Sequence, residues 1–265
     1  MSQESRIRLS ILVAREEFDL VEANLLAAVE AYPALDLGVY LERLEMLAAD
    51  ARSRGGDFDG VVATLAETGL TGDRLTYDDP RNSFLNDVLE RGRGLPIALS
   101  ALAIGVGFRT GAVVAGIAMP GHVVIADLSG AAPRYVDPFN GWAEVTEEGC
   151  ARLVRQSAGA DLEPGHLVPV GPHAMLTRML SNLRHSYLRR RRLADALWAA
   201  ELGLLVTPDD GALVREHVVL QAGLGRYDAA EAEARAYMEA NPDTPERQAL
   251  ERQIAAVQDM RRSMN

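Results

Sequence analysis

The chain has 265 residues, of which 48% are hydrophobic, and it carries a formal net charge of −11. This length allows one large domain or two smaller ones with a sizeable core, and the acidic balance argues against a general nucleic-acid binder, which needs a basic surface. A single cysteine excludes an internal disulfide and is typical of a reducing compartment, so we expect a cytoplasmic protein.

The N-terminal part of the chain has a helical pattern. Apolar residues recur at helical spacing from Phe18 onwards, and Asp36 is placed to cap a second amphipathic helix that begins after Pro33. A further short helix is predicted around Phe58, before a glycine-rich turn. We therefore predict a helical region, residues 1–70, that packs on the domain that follows.

Residues 77–142 contain the highest density of residues with special backbone conformations or reactive side chains. Asn82 and Ser83 are N-cap types at the start of a predicted helix that ends at a glycine. Pro96 suits the first turn of the next helix, where a missing N–H carries no penalty. That second helix, residues 97–106, has no charged residue and is expected to be buried on nearly all sides.

Strands are predicted after this helix. Their bounds are residues 113–119, 122–127 and 134–137. If the hairpin between the last two pivots on Ser129 and Gly130, His122 lies almost opposite Asp137, with Cβ atoms roughly 4.5–5.5 Å apart. A hydrogen bond between these side chains would fix the imidazole tautomer and stabilise its charged form.

A buried helix, a strand with histidine and a strand with Asp-Pro, in this order, resemble the transglutaminase-like, papain-related core. In that superfamily a helix begins near a G-x-C motif whose cysteine is the nucleophile, and the histidine and aspartate complete its triad. More narrowly, the stretches PRNSFLNDVLERGRGLPIALS, PGH and VDPFNG resemble the SirB family, a branch of that superfamily. The resemblance implies an α+β fold, with a helical N-terminal region, a small antiparallel sheet within a core of residues 71–156, and C-terminal helical repeats.

The nucleophile position departs from the superfamily pattern. Residues 94–96 read Gly-Leu-Pro, so Pro96 stands where the resemblance puts the cysteine. Cys150 follows the last strand of the core and has no base beside it in the sequence. The resemblance therefore implies a triad without its nucleophile, and His122 with Asp137 is either a relic or a working pair.

Polar residues on either side of the apolar helix are predicted to face a cleft beside the histidine. The binding candidates, with the proline, are Arg81, Asn82, Asn86, Glu90, Arg91, Pro96 and Asn140. Three of them, Asn82, Asn86 and Glu90, recur at i, i+4 spacing and are expected on one helix face.

Ser100 is a weaker candidate nucleophile, because inside an apolar helix its hydroxyl is expected to bond a preceding carbonyl. No cofactor is predicted, and no histidine spacing resembles a metal motif such as H-E-x-x-H.

The C-terminal part of the chain is repetitive. Residues 157–173 are rich in glycine and proline and are predicted to be a linker, and residues 174–265 are predicted to be helical. The triplet Thr-Pro-Asp at 207–209 recurs as Asn-Pro-Asp at 241–243, an offset of 34 residues, which is the period of a tetratricopeptide repeat. Small residues share the same offset at Ala196, Ala200, Ala230 and Ala234.

The sequence thus favours a SirB-like protein without the catalytic cysteine that acts as a ligand- or protein-binding regulatory module. A small ligand or peptide is expected in the core cleft, and a protein or peptide partner on the repeats. The alternative is a hydrolase or an acyl or amide transferase that uses His122 and Asp137 with water or an unrecognised nucleophile. A structural scaffold is the third reading. A membrane partner is not expected, because no apolar run approaches the ~18 residues that a span needs.

Overall fold

A computed structural model describes residues 3–263 of the chain. The described residues divide into two compact units, the first ending at Met179 and the second beginning at Leu180. Many helices and one small antiparallel sheet make up the chain, so the predicted α+β class is confirmed. In the described part of the chain, every helix is too short or too polar to cross a bilayer.

Helices dominate the first unit. They are α1 (Gln3–Val13), α2 (Leu20–Ala28), α3 (Leu37–Ser53), α4 (Phe58–Glu67), α5 (Leu85–Arg91), α6 (Pro96–Thr110) and α7 (Glu147–Ala158). Three of them are capped by an aspartate that accepts backbone N–H groups of the first turn, namely Asp19, Asp36 and Asp57. The cap predicted at Asp36 is therefore confirmed.

Two sets of strands lie in the same unit. The strands are β1 (Thr71–Gly72), β2 (Arg93–Gly94), β3 (Ala115–Met119), β4 (His122–Asp127), β5 (Arg134–Asp137), β6 (Ala143–Val145) and β7 (Pro169–Val170). β1 and β2 form a parallel pair, and the other strands form an antiparallel sheet in the order β6-β5-β4-β3-β7. β4 and β5 have the predicted bounds, and β3 begins at Ala115 instead of residue 113.

α6 is the central helix of the first unit. It begins at Pro96, one residue before the predicted bound, and ends at Thr110, four residues beyond the predicted end. Gly111 follows with a φ of 83°, the left-handed conformation that favours glycine. The helix packs against α2, α3 and α4 and also against β3 and β4. This position between helices and sheet explains why its sequence carries almost no charge.

The segment predicted to be a linker, residues 157–173, contains ordered structure. It includes the end of α7, a 3-10 turn at Pro164–Leu167 and β7, which pairs with β3 at the edge of the sheet. The next helix, α8 (Pro172–Arg189), begins in the first unit and ends in the second. The boundary between the units thus lies within a helix.

The second unit continues as antiparallel helices. After α8 these are α9 (Leu193–Val206), α10 (Gly211–Gly223), α11 (Tyr227–Ala240) and α12 (Arg247–Ser263). Each of α9, α10 and α11 packs on the next helix along the chain. The four alanines at the 34-residue offset are fully buried, as close helix packing requires: Ala196, Ala200, Ala230 and Ala234.

Candidate functional site

His122 and Asp137 form a buried hydrogen-bonded pair. His122 Nε2 lies 3.0 Å from Asp137 Oδ1, and the two residues are 7% and 0% exposed. The sheet register pairs Ala126 with Tyr135, so Asp137 lies diagonally across from His122 on the same face. The predicted hydrogen bond is confirmed, but the predicted direct pairing is wrong by two residues. A shift of two residues preserves the face on which a side chain lies.

The electrostatics of Asp137 fix the tautomer of His122. Burial raises the pKa of Asp137, but hydrogen bonds from His122 and Asn140 outweigh it and hold that pKa below its ordinary value. An ionised carboxylate only accepts hydrogen bonds, so His122 Nε2 carries the proton that it donates. In neutral imidazole the other nitrogen, Nδ1, is then an acceptor, and among the described residues it makes no hydrogen bond.

A cavity of about 420 Å³ lies beside His122. Its walls come from the loop after β1, the β3–β4 turn, the 3-10 turn after β5 and α7. The lining residues are Arg74, Tyr77, Gly121, His122, Phe139, Asn140, Leu153, Gln156 and Ser157. Phe139 is the shared wall, because its ring makes edge contacts with Tyr77 and with His122 at 5.9 Å between centroids. We call this cavity the His122 cleft.

Of the predicted binding residues, only Asn140 lines the His122 cleft together with His122. Asn82 is buried, and its Nδ2 donates to the carbonyl of Thr76 at 2.7 Å. Arg91 donates to Asn82 Oδ1 at 3.0 Å and to Asp73 Oδ2 at 3.2 Å. Asn82 and Arg91 therefore brace the loop of residues 73–79, which carries Arg74 and Tyr77 into the cleft.

The remaining polar candidates form ion pairs or hydrogen bonds outside the cleft, or have an unsatisfied polar atom. Arg81 pairs with Asp79 at 2.6 Å, and Glu90 accepts from the Tyr40 hydroxyl at 2.7 Å. Asn86 is buried, and its Oδ1 has no hydrogen-bond partner within residues 3–263. Placing Asn82, Asn86 and Glu90 on one helix face was wrong, because Asn82 lies in a separate 3-10 turn before α5.

The predicted capping of α5 by Asn82 or Ser83 is also wrong. The N-cap residue is Phe84, which offers no side-chain hydrogen bond. Instead, Asn24 of α2 accepts from the backbone N–H of Leu85 at 3.0 Å and donates to the carbonyl of Ser83 at 3.2 Å. A tertiary contact thus replaces the local cap, which sequence spacing alone does not reveal.

The nucleophile candidates all lie away from the cleft walls. Pro96 is buried and does not line the cleft. Cys150 is fully buried, and burial raises the pKa of its thiol to about 11, so it is protonated at neutral pH. Ser100 is also fully buried, but its Oγ has no partner among the described residues, contrary to the expected bond to a preceding carbonyl.

Several cleft residues were not predicted from the sequence. Ser157 lies on α7, and its hydroxyl donates to the carbonyl of Leu153 at 2.8 Å, as a serine within a helix often does. Gly121 has a φ of 71°, and a Cβ there would come within 2.6 Å of Ser157 Oγ. Glycine is therefore required at this turn for both conformation and space. The PGH sequence was the only available signal for it.

Arg178 of α8 was missed as well. Its Nη2 donates to the backbone carbonyl of His122 at 3.3 Å, across 56 positions of sequence. Burial lowers the pKa of this guanidinium, and the neighbouring Tyr77 opposes that effect. Arg178 thus holds the His122 backbone from outside the cleft lining, with its cation directly behind that residue.

Comparisons with known proteins agree with this architecture. A model of the transglutaminase-like superfamily matches residues 40–181, and a tetratricopeptide repeat model matches residues 183–255. The superfamily and the repeats predicted from the sequence are therefore confirmed. The superfamily match spans the cleft and the His122–Asp137 pair, and the repeat match spans the second unit's helices up to the middle of α12.

Curated relatives cover most of the chain. A UPF0162 protein of Vibrio cholerae is 29% identical over 226 residues, which are 84% of this chain and 84% of the relative. A UPF0162 protein of Xylella fastidiosa is 28% identical over 242 residues, which are 86% of each chain. Their names state no activity, and neither carries the SirB name. No solved structure matches the chain.

Proposed function

Since this chain belongs to the transglutaminase-like superfamily and carries Pro96 where its resemblance to that superfamily puts the nucleophile, we propose that it is a binding or regulatory module rather than a thiol enzyme. We place it in the SirB-like branch on the motifs quoted above. The single, buried cysteine supports a reducing, cytoplasmic location. The proposed module binds a small ligand or peptide in the His122 cleft.

One observation carries this proposal, namely an open cleft that has recognition groups but no activated nucleophile. The cleft offers the His122 imidazole, the Asn140 amide, the Arg74 guanidinium and an aromatic wall. These polar groups converge on one concave surface beside Phe139 and Leu153, as the groups of a ligand site do. The hydroxyl of Ser157 lies in the cleft but is bonded to a helix carbonyl instead of a base.

The repeats supply the second half of the proposed function. Tetratricopeptide repeats are stacked helix pairs that present an extended surface, and such surfaces commonly bind protein segments. We assign residues 183–255 to a protein or peptide partner. The chain would then combine a ligand site with a partner site, as a regulatory module requires.

The alternative function is hydrolysis or acyl transfer without a protein nucleophile. It is favoured by the geometry of His122, whose Nε2 proton is held by Asp137 and whose Nδ1 makes no hydrogen bond within residues 3–263. An imidazole held in this way is able to act as a general base toward water. This alternative requires turnover that depends on His122 and Asp137.

The test uses the five histidines of the chain, labelled with ¹³C and observed by NMR, with His122 assigned from a His122→Gln variant. A pool of tripeptides is expected to shift the His122 signal. Gln156→Trp, which fills the cleft from α7, should abolish that shift, whereas Arg155→Trp on the same helix, outside the lining, should not. A peptide pool that leaves the His122 signal unchanged contradicts the proposal.

The same samples separate the two functions. Hydrolysis of p-nitrophenyl acetate and of a peptide p-nitroanilide should proceed at the same rate with the wild type and with His122→Gln. A wild-type rate that exceeds both His122→Gln and Asp137→Asn by tenfold or more would establish the hydrolase instead.

A further inference from the structure

We infer that the ligand of the His122 cleft carries a carboxylate, and that it is an N-acylated α-amino acid such as the C-terminal residue of a peptide. This inference rests on the proposed function of the cleft as a binding site. It names the chemistry of the ligand, which the proposed function leaves open.

The charge of the cleft differs from that of the chain. The chain has 38 acidic and 27 basic residues, yet Arg74 lines the cleft and no aspartate or glutamate does. Arg74 lies over the ring of Phe139, 5.6 Å from its centroid, and donates to Asn140 Oδ1. It forms no ion pair with a carboxylate among the described residues, so its charge is available to a ligand.

Arg178 is a second arginine beside His122 that has no carboxylate partner among the described residues, although it does not itself line the cleft. Other arginines of comparable burial have carboxylate partners: Arg91 pairs with Asp73 at 3.2 Å and Arg184 with Glu216 at 2.9 Å. Arg178 is half-buried and donates only to the His122 carbonyl, with no carboxylate at ion-pair distance in the part of the chain that is described. A partly desolvated cation without a counter-ion is destabilising, and a bound anion would relieve this penalty.

The other walls select the rest of the ligand. In the neutral imidazole, His122 Nδ1 is an acceptor and suits a ligand N–H group. Phe139, Tyr77 and Leu153 form an apolar wall that suits a side chain. An N–H donor, a carboxylate and an apolar side chain occur together in an N-acyl amino acid. Inorganic phosphate supplies only the negative charge, and guanidinium groups bind both kinds of oxyanion.

The probes are N-acetyl-leucinate, N-acetyl-leucinamide and inorganic phosphate, titrated against the ¹³C-histidine protein. We expect the carboxylate to shift the His122 signal and to bind at least tenfold more tightly than the amide. Arg74→Gln and Arg178→Gln should each weaken N-acetyl-leucinate at least fivefold. The matched control Arg152→Gln, an exposed arginine of α7 outside the lining, should bind like the wild type.

Arg178→Lys is the control for a structural effect of the substitution. It retains a cation, so its affinity for N-acetyl-leucinate should stay within about threefold of the wild-type value. Arg74 is exposed, so Arg74→Gln tests the same point if Arg178→Gln fails to fold. Equal binding of amide and carboxylate would overturn the inference and leave the proposed function standing. A shift caused by phosphate alone would also overturn it. If the tripeptide pool fails as well, the proposed function fails with it.

Discussion

Pro96 decides whether the His122–Asp137 pair once served a nucleophile. Proline at the first turn of α6 leaves the helix intact, so a cysteine there should be tolerated. We predict that Pro96→Cys, in a Cys150→Ala background, has a thiol pKa below the ordinary value of about 8.5, because a helix N-terminus and a histidine within reach favour the thiolate more than burial of position 96 opposes it. The ultraviolet absorbance of the thiolate against pH measures this directly and does not depend on reagent access to a buried position.

The control for this experiment is the same variant with His122→Gln, in which the thiol pKa should return toward 8.5 or above. An equal thiol pKa in the two proteins would mean that α6 does not start within reach of His122. The chain would then share the fold of the superfamily but not the geometry of its catalytic triad. Cys150→Ala alone should fold normally and leave binding unchanged, because Cys150 lies in the core and not in the cleft.

At the scale of single residues, the His122–Asp137 pair was predictable because both residues lie on neighbouring strands with a short turn. The roles of Asn82 and Arg91 were not, because their hydrogen bonds go to Asp73 and to loop carbonyls. Residue type and spacing show that such side chains are polar, but not where their partners lie. Arg178 was unpredictable for the same reason, since 56 positions separate it from His122.

At the scale of elements, the repeat helices make a quantitative prediction. Ala230 is fully buried between the helices of the second unit, so Ala230→Leu should overpack α11 against its neighbours and destabilise the fold by on the order of 1–3 kcal/mol. The matched control is Ala229→Leu, because Ala229 is exposed on the same helix. Thermal melts of the full chain should show a lower midpoint for Ala230→Leu alone. Equal midpoints for the two variants would argue against close helix pairing at this offset.

Element positions were predictable where local chemistry sets them. Asp36 caps α3 and a glycine ends α5, because capping and left-handed backbone are local properties. The start of α5 was not predictable, because its first N–H group bonds to Asn24 from another helix. β7 was also missed, since a two-residue edge strand that begins with proline has no sequence pattern of its own.

At the scale of the whole molecule, the boundary between the units lies inside α8 and not in the glycine- and proline-rich segment before it. Those residues interrupt regular structure locally, but the division into units falls after them, within α8. The segment instead contributes β7 to the sheet. The glycine- and proline-rich composition therefore marks the break between α7 and α8 and not the boundary between the units, which lies within α8.

The second unit should lose stability as the pH rises. His217 is buried on α10, with Nδ1 2.7 Å from Glu233 Oε2 on α11 and Nε2 3.9 Å from Glu201 Oε1 on α9. Burial alone would lower the pKa of His217, but the two carboxylates outweigh it and raise that pKa to about 9. Since the folded pKa exceeds the unfolded value of about 6.5, the stabilisation is fully present below pH ~6.5 and is lost as the pH rises through ~9.

The expected size of this change is on the order of 3 kcal/mol, and thermal melts of the full chain between pH 6 and about 9.5 measure it. His217→Gln should be less stable than the wild type at pH 6, because it leaves Glu233 near a neutral side chain, and it should lose most of the decline between pH 6.5 and 9. The matched control is His185→Gln, since His185 is exposed and its replacement should retain the decline.

Cys150 also titrates in this range, because burial raises the pKa of its thiol to about 11 and the fold therefore loses stability above pH ~8.5. The comparison is made in a Cys150→Ala background for this reason. A decline of equal slope in His217→Gln and His185→Gln would show that another group controls the pH dependence, and the charged histidine would then not hold α9, α10 and α11 together.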